Sequence, residues 1–191
     1  MQEKALTIMD ALFPRATLVR NLLLILGFSA LTALSAQAAF YIGPVPITGQ
    51  TFAVLLAGAL LGSKRGALSQ LTYLGMGAMG APVFAGWMGG PAHLVGPTGG
   101  YLVGFVAAAF VVGFLAERGW DRRIWSTALA MLIGNIVIYA FGLLWLTNFV
   151  PANSVLPAGL YPFIPGDLLK LSLAAVALPS GWALVNRARG S

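Results

Sequence analysis

The sequence predicts an all-α polytopic membrane protein with six transmembrane helices and both termini cytoplasmic. Three observations predict it. Of 191 residues, 59% are hydrophobic and only 8% are charged, against roughly 25% charged in a soluble domain. Apolar runs recur along the chain, and crossing a bilayer takes about 20 such residues, or fewer inside a bundle. Ten of the eleven Lys and Arg residues fall in alternate gaps between those runs.

The formal charge of +6 invites a nucleic-acid reading, but that needs a clustered basic face. Here the basic residues lie between apolar segments, where a membrane protein keeps its cytoplasmic charges. The expected surroundings are therefore a lipid bilayer, with no nucleic acid. With no Cys and a single His, His93, neither a disulfide framework nor a metal site is expected, and no cofactor is expected.

The elements follow in order. Residues 1–17 form a cytoplasmic or interfacial segment: Ala5, Leu6, Ile8, Met9, Leu12 and Phe13 recur at helical spacing before Pro14, which predicts a short interfacial helix. Arg15, Arg20, the run 22–33 and Ala36-Gln37-Ala38 imitate a secretory signal. The apolar run continues to Phe40 and Ile42, so an uncleaved first span is the better reading. Spans are expected at 18–42, 50–63, 65–80, 98–117, 123–147 and 166–187. The chain is then a single membrane domain, with a bundle at 18–187 and a cytoplasmic tail at 188–191. Glycine, 24 residues in all, reads as a packing signal, because small residues let helices approach closely.

Charge sets the orientation. Lys4, Arg15 and Arg20 precede span one; Lys64 and Arg65 separate spans two and three; Arg118, Arg122 and Arg123 separate four and five; Arg187 and Arg189 follow span six. Loops 43–49, 81–97 and 148–165 contain no Lys or Arg. The positive-inside rule makes the basic side cytoplasmic, in a bacterial inner membrane. The outer loops 81–97 and 148–165 mix Pro and Gly with Phe84, Trp87, Tyr161 and Phe163. Interfacial aromatics form the membrane belt, and loops of this length also act as lids; 81–97 is read as a lid.

Lys170 is the eleventh basic residue, and it lies inside span six. A charge there costs roughly 2.5–3.5 kcal/mol on insertion scales and marks a functional site by default. Asp167, three residues earlier, shares its helix face. Pro165-Gly166-Asp167 opens that helix, which places the carboxylate in the first turn. The bland alternative is a helix-start carboxylate neutralised by a snorkelling Lys. Gln50 and Thr51 start span two, Asn135 and Tyr139 lie four apart on one face of span five, and Thr98 and Tyr101 open span four. Each alone fits interhelical hydrogen bonding. Together, Gln50, Thr98, Tyr101 and Asp167 stand at outer helix ends at one depth. Thr98-Gly99-Gly100-Tyr101 also offers free backbone N–H groups to an anion, although packing explains the glycines equally well.

Three segments, Val45-Pro46-Ile47-Thr48-Gly49-Gln50-Thr51-Phe52, the run Gly96 to Phe105 containing GPTGGYL, and Pro165-Gly166-Asp167-Leu168-Leu169-Lys170, resemble the BioY family, the biotin-specific S-components of energy-coupling-factor (ECF) transporters. The resemblance covers nearly the whole chain in order. It implies a six-helix subunit that binds biotin near its outer face. The implied partners are a transmembrane coupling protein and two ATPases that drive release to the cytoplasm. It also assigns 81–97 to the lid and the first helices to the coupling contact. Small-xxx-small pairs in span one (Ser29/Ala33, Thr32/Ala36, Ser35/Ala39) are consistent with a close helix contact.

Under that resemblance, Asp167 accepts from a ureido N–H, and Lys170 donates to the ureido carbonyl or holds Asp167 ionised. Asn135 and Gln50 offer both donor and acceptor. Phe84, Trp87 and Tyr101 enclose the thiophane ring and valeryl chain, with Tyr139 beside them. The ligand carboxylate falls to the backbone at Thr98 to Gly100, or to solvent. Three alternatives stay open: an S-component for another vitamin, a self-sufficient small-solute transporter, and a homo-oligomer acting without an energy module. No Walker A loop is present. An intramembrane enzyme is disfavoured, because Ser29 and Ser69 have no visible base.

Overall fold

The computed structural model describes residues 7–14, 17–41 and 43–190, the side chains of 189 and 190 excepted. Lys4, Ala5, Leu6, Arg15, Ile42 and the Arg189 side chain lie outside the described residues. The expected interfacial helix is present as α1 (Ile8–Leu12), capped by Thr7, whose hydroxyl oxygen accepts from the Asp10 N–H at 3.3 Å. Helix α2 (Leu18–Gln37) follows. It stops short of the expected residue 42. Ala39–Phe40 (β1) pairs antiparallel with Ile47–Thr48 (β2), Ala39 opposite Thr48. Apolarity alone extended the span, but aromatic residues ahead of Gly43-Pro44 suit a hairpin better than a helix. Ala36, part of the imitated cleavage site, is fully buried.

Helices α3 (Gln50–Leu61) and α4 (Ser63–Ala78) meet at Gly62 alone, which takes the left-handed φ of +85° that the corner requires. A short α5 (Pro91–Val95) precedes α6 (Gly99–Glu117) and α7 (Ile124–Leu146). The chain ends in a short α8 (Val155–Gly159) and the long α9 (Ile164–Gly190), which includes most of the expected tail. Helices α2, α6, α7 and the segment containing α9 are long and apolar enough to cross a membrane. Helix α3, at 12 residues, spans only about 18 Å.

Helix α3 runs through the middle of the bundle, with Val54, Ala57 and Ala59 fully buried. The approach there is backbone to backbone. A Cβ at Gly58 would lie 2.5 Å from the Ala109 carbonyl oxygen, and one at Gly113 would lie 2.4 Å from the Gly62 carbonyl carbon. Helix α2, by contrast, buries only Ser29, Thr32 and Ala36. Ser29 Oγ donates to the Ser69 carbonyl at 2.6 Å, and Gln70 Nε2 donates to Thr32 Oγ1 at 3.3 Å. Ser35 accepts from the Gly49 N–H at 3.2 Å through its carbonyl. The small-residue pairs of span one thus pack inside this chain, against α4 and the start of α3.

The two ends of the bundle differ in charge. At one end stand Arg20, Lys64, Arg65, Arg118, Arg122, Arg123 and Arg187. Asp10 bridges Arg20 and Arg65 there at 2.8 Å each, tying α1 to α2 and α4. Burial pushes its carboxyl up, but the two guanidinium groups and Thr7 win and hold it below the usual carboxylate range. Glu117 caps α4 by accepting from Ser63 N at 2.8 Å and Ser63 Oγ at 2.9 Å. Asp121, in the turn between α6 and α7 and only 2% exposed, accepts from Trp182 Nε1 at 2.6 Å. The Arg122 guanidinium lies 4.5 Å over the Trp182 ring.

Burial pushes the Asp121 carboxyl from 3.8 up to about 6, against the Trp182 hydrogen bond and the Arg122 charge. The unfolded chain loses this proton near its ordinary value, whereas the folded chain keeps it until about pH 6. Between those values the folded state binds more protons, so stability falls as pH rises through the window. Asp121→Asn should remove that slope, worth about 2–3 kcal/mol between pH 4 and 6. Thermal unfolding in detergent across this range checks it; an unchanged slope contradicts the assignment.

Candidate substrate-binding site

At the end of the bundle opposite the arginines, α9 opens with Pro165 and carries Asp167 in its first turn. Asp167 is 7% exposed. Lys170 lies on the same face, one turn on. Its Nζ donates to the Thr48 carbonyl at 2.9 Å, Thr51 Oγ1 at 2.9 Å and Asp167 Oδ1 at 3.2 Å. An ammonium has three N–H donors, and all three are used. The Thr51 hydroxyl in turn donates to Asp167 Oδ1 at 3.3 Å, and the Tyr139 hydroxyl donates to Oδ2. The hairpin makes this possible: it returns the chain so that the Thr48 carbonyl and the first turn of α3 face α9.

Beside this network lies a narrow cleft. Val45, Pro46, Leu102, Phe105, Ile138 and Phe163 supply apolar wall. Thr48, Gln50, Thr51, Thr98, Tyr101 and Tyr139 supply the rest. The rings of Tyr101, Tyr139 and Phe163 pack on one another with centroids 6.2–6.4 Å apart. Gln50 Oε1 accepts from Thr48 Oγ1 at 2.9 Å, and its Nε2 donates to the Tyr73 hydroxyl at 2.6 Å. Its second amide hydrogen is left for another acceptor.

Of the residues expected at the site, Gln50, Thr98, Tyr101 and Tyr139 stand in the cleft wall. Asp167 is absent from that wall and lines the groove between α7 and α9 on the other side of Tyr139, and Lys170 reaches it past Thr51. Lys170 therefore has no N–H left for a ligand carbonyl and is placed as the ion-pair partner of Asp167. Tyr101 spends its hydroxyl on the Gly159 carbonyl at 2.9 Å, which leaves only the ring to the cleft. Asn135 lines the α7–α9 groove as well, on the far side of Tyr139, with Leu132, Ile136 and Leu168. Its Oδ1 is buried without a donor.

Three expected contacts differ. Phe84 is wedged where a Cβ on Gly77 would otherwise sit, edge-on to Tyr73 at 5.5 Å and stacked on His93 at 4.9 Å. It backs the cleft through Tyr73 and does not line it. Trp87 is 64% exposed and turned away. Gly100 faces α7, where a Cβ would lie 2.2 Å from Trp145 Cβ, so it is a packing glycine. Loop 81–97 is pinned by Gln37, which donates to the Phe84 carbonyl at 3.1 Å and accepts from the Trp87 N–H at 3.0 Å. Between these bonds the backbone is left-handed at Gly86 (φ 71°) and at Trp87 (φ 58°), a conformation uncommon for a bulky residue.

Several site residues escaped the sequence reading. Thr51 was visible only as a helix opener, Phe163 only as a belt aromatic, and Ile138 and Phe105 carry no signal beyond apolarity. Tyr73 had one: a hydroxyl-bearing ring buried on a helix needs a partner.

Comparison with known proteins bears on this geometry. A family model described as the BioY family matches residues 2–187. A probable biotin transporter BioY of Pyrococcus horikoshii is 47% identical over 149 residues, covering 78% of this chain and 88% of that protein. The biotin transporter BioY of Thermotoga maritima is 44% identical over 150 residues, again 78% and 88%. A crystal structure of the S-component for biotin from an ECF-type ABC transporter superposes with a TM-score of 0.74 at 28% identity, covering 93% of this chain and 96% of that one.

The network predicts a double-mutant result. Lys170→Met leaves the Asp167 carboxylate buried without its cation, which should cost roughly 3–5 kcal/mol and lower Tm in detergent. Adding Asp167→Asn should restore most of the loss. Additive losses in the double variant would show that the two groups do not act as a pair.

Proposed function

The chain belongs to the BioY family, and from that premise we propose that it is the biotin-binding S-component of an ECF transporter, taking up biotin through the cleft beside Asp167. It is a membrane transport protein. In this reading it crosses a bacterial inner membrane six times with both termini inside, supported by the segregation of Arg and Lys to one end of the bundle. It works with a transmembrane coupling protein and two ATPases, consistent with the lack of a Walker A loop in the sequence.

The observation that carries the reading is the polar pole of an otherwise apolar cleft. Biotin offers a bicyclic hydrocarbon body and a ureido group with two N–H donors and one carbonyl. Tyr139 donates its proton to Asp167, so its oxygen lone pairs are free to accept a ureido N–H. The carboxylate behind it makes that oxygen a stronger acceptor. The free Nε2 hydrogen of Gln50 suits the ureido carbonyl. Asn135, with its unpartnered Oδ1, opens to the groove on the far side of Tyr139 and is given no contact with the ligand in the cleft. Tyr101 and Phe163 cover the apolar rings. Phe84 and Trp87 act through the loop that closes over the cleft, held by Gln37. In this reading Lys170 binds no ligand; it pairs with Asp167 and holds it in position.

Such a site discriminates through what it leaves unpaired. Each buried polar group without a partner costs about 1–3 kcal/mol, so a ligand without the ureido group binds several decades more weakly. Asp167→Asn should weaken biotin binding by about 10–150-fold, the equivalent of a hydrogen bond to a charged group at 1.5–3 kcal/mol. Calorimetry on detergent-purified protein measures this, with gel filtration confirming that the variant is folded. Wild-type affinity in a folded Asp167→Asn variant would refute the assignment.

A further inference from the structure

The ureido end of the ligand has partners in the cleft; its carboxylate does not. A carboxylate beside Asp167 would meet like charge, and the three N–H groups of Lys170 are all spent. At the start of α6 one of the backbone donors is already spent. The Gly99 N–H is bonded to the Gly96 carbonyl at 3.0 Å. Repulsion by Asp167 favours placing the acid at the outer side of the cleft.

A second hollow begins there. It shares Pro46 and Thr98 with the cleft, holds about 1110 Å³ of unfilled space open to the outside, and is walled by Tyr41, Met88 and His93 among others. His93 sits on α5 within loop 81–97. One face of its ring is stacked on Phe84 at 4.9 Å and 15°, and Phe84 is itself wedged against Gly77 and Tyr73. The imidazole is thereby held in place, and among the described residues neither ring nitrogen has a hydrogen-bond partner. A locked side chain with an idle donor, at the mouth of a site for an acidic ligand, is a preorganised contact.

We propose that this vestibule takes the carboxylate end of the ligand and that His93 donates its ring N–H to it. The proposal rests on the biotin reading of the cleft. The valeryl chain then passes between Pro46 and Thr98, from the polar pole to the vestibule. Burial holds the His93 ring below its ordinary pKa, so near neutral pH it acts as a neutral N–H donor to an anion. A bond to a charged acceptor is stronger than one between neutral groups.

The test measures affinity for biotin and for biotin amide, which lacks the charge, in wild type, His93→Ala and His93→Gln. Wild type should prefer biotin over the amide by about tenfold. His93→Ala should weaken biotin by a similar factor and leave the amide unchanged, and His93→Gln, which keeps an N–H donor, should recover part of the loss. Equal losses for both ligands, or none for biotin, overturn the proposal while the biotin reading stands. If folded wild type binds neither ligand, the biotin reading falls and this proposal falls with it.

Discussion

The ion pair between Asp167 and Lys170 is the constraint on which the outer half of the molecule depends. Two opposite charges kept from water need every donor and acceptor satisfied, and here the surrounding chain supplies those partners. Thr48 gives its carbonyl, Thr51 its hydroxyl and Tyr139 its phenol. These partners come from the hairpin, from α3 and from α7. Satisfying one pair of side chains therefore fixes how three elements meet α9. Apolar residues would hold the helices together as well or better. Under the proposed function, the retained charge serves as a polar pole for the ligand.

The fold converts a short central helix into a floor for that site. Helix α3 is too short to span a bilayer alone, and it is surrounded by α2, α4, α6 and α9. Glycines at 58 and 113 bring backbones close enough that any side chain would collide. At the opposite end, Asp10 with two arginines, Glu117 with Ser63 and Asp121 with Trp182 fasten α1, α4 and the α6–α7 turn. One end is thus tied by ionic and capping contacts. The other holds the cleft, and loop 81–97 is pinned by Gln37.

Much of this was legible in the sequence because membranes impose simple rules. Apolar runs gave the helices, and basic residues gave the two ends. Lys170 stood out because it was the only basic residue away from its fellows, and Asp167 followed from helical spacing. What the spacing left open was which face of each helix looks inward. Gly100 reads equally well as an anion cradle and as a packing residue, and only the position of Trp145 decides. Asn135 and Tyr139 share a face by sequence, yet the cleft and the α7–α9 groove lie on either side of Tyr139 and divide them. Phe84 and Trp87 sit three apart in one loop, but the left-handed turn at Gly86 and Trp87 sends one ring into the core and the other outward. Loop geometry of this kind carries no periodicity from which to read it.

The central claim is that a vitamin's ureido group is recognised at the polar pole formed by Tyr139, Gln50 and the carboxylate behind them. A structure of the chain with biotin bound tests it most directly. The account predicts density for the bicyclic ring in the cleft between α3, α6, α7 and α9, with a ureido nitrogen within hydrogen-bond distance, about 3 Å, of the Tyr139 hydroxyl or the Asp167 carboxylate. A ring bound in the α7–α9 groove, or one whose ureido group turns away from that pole, would contradict it.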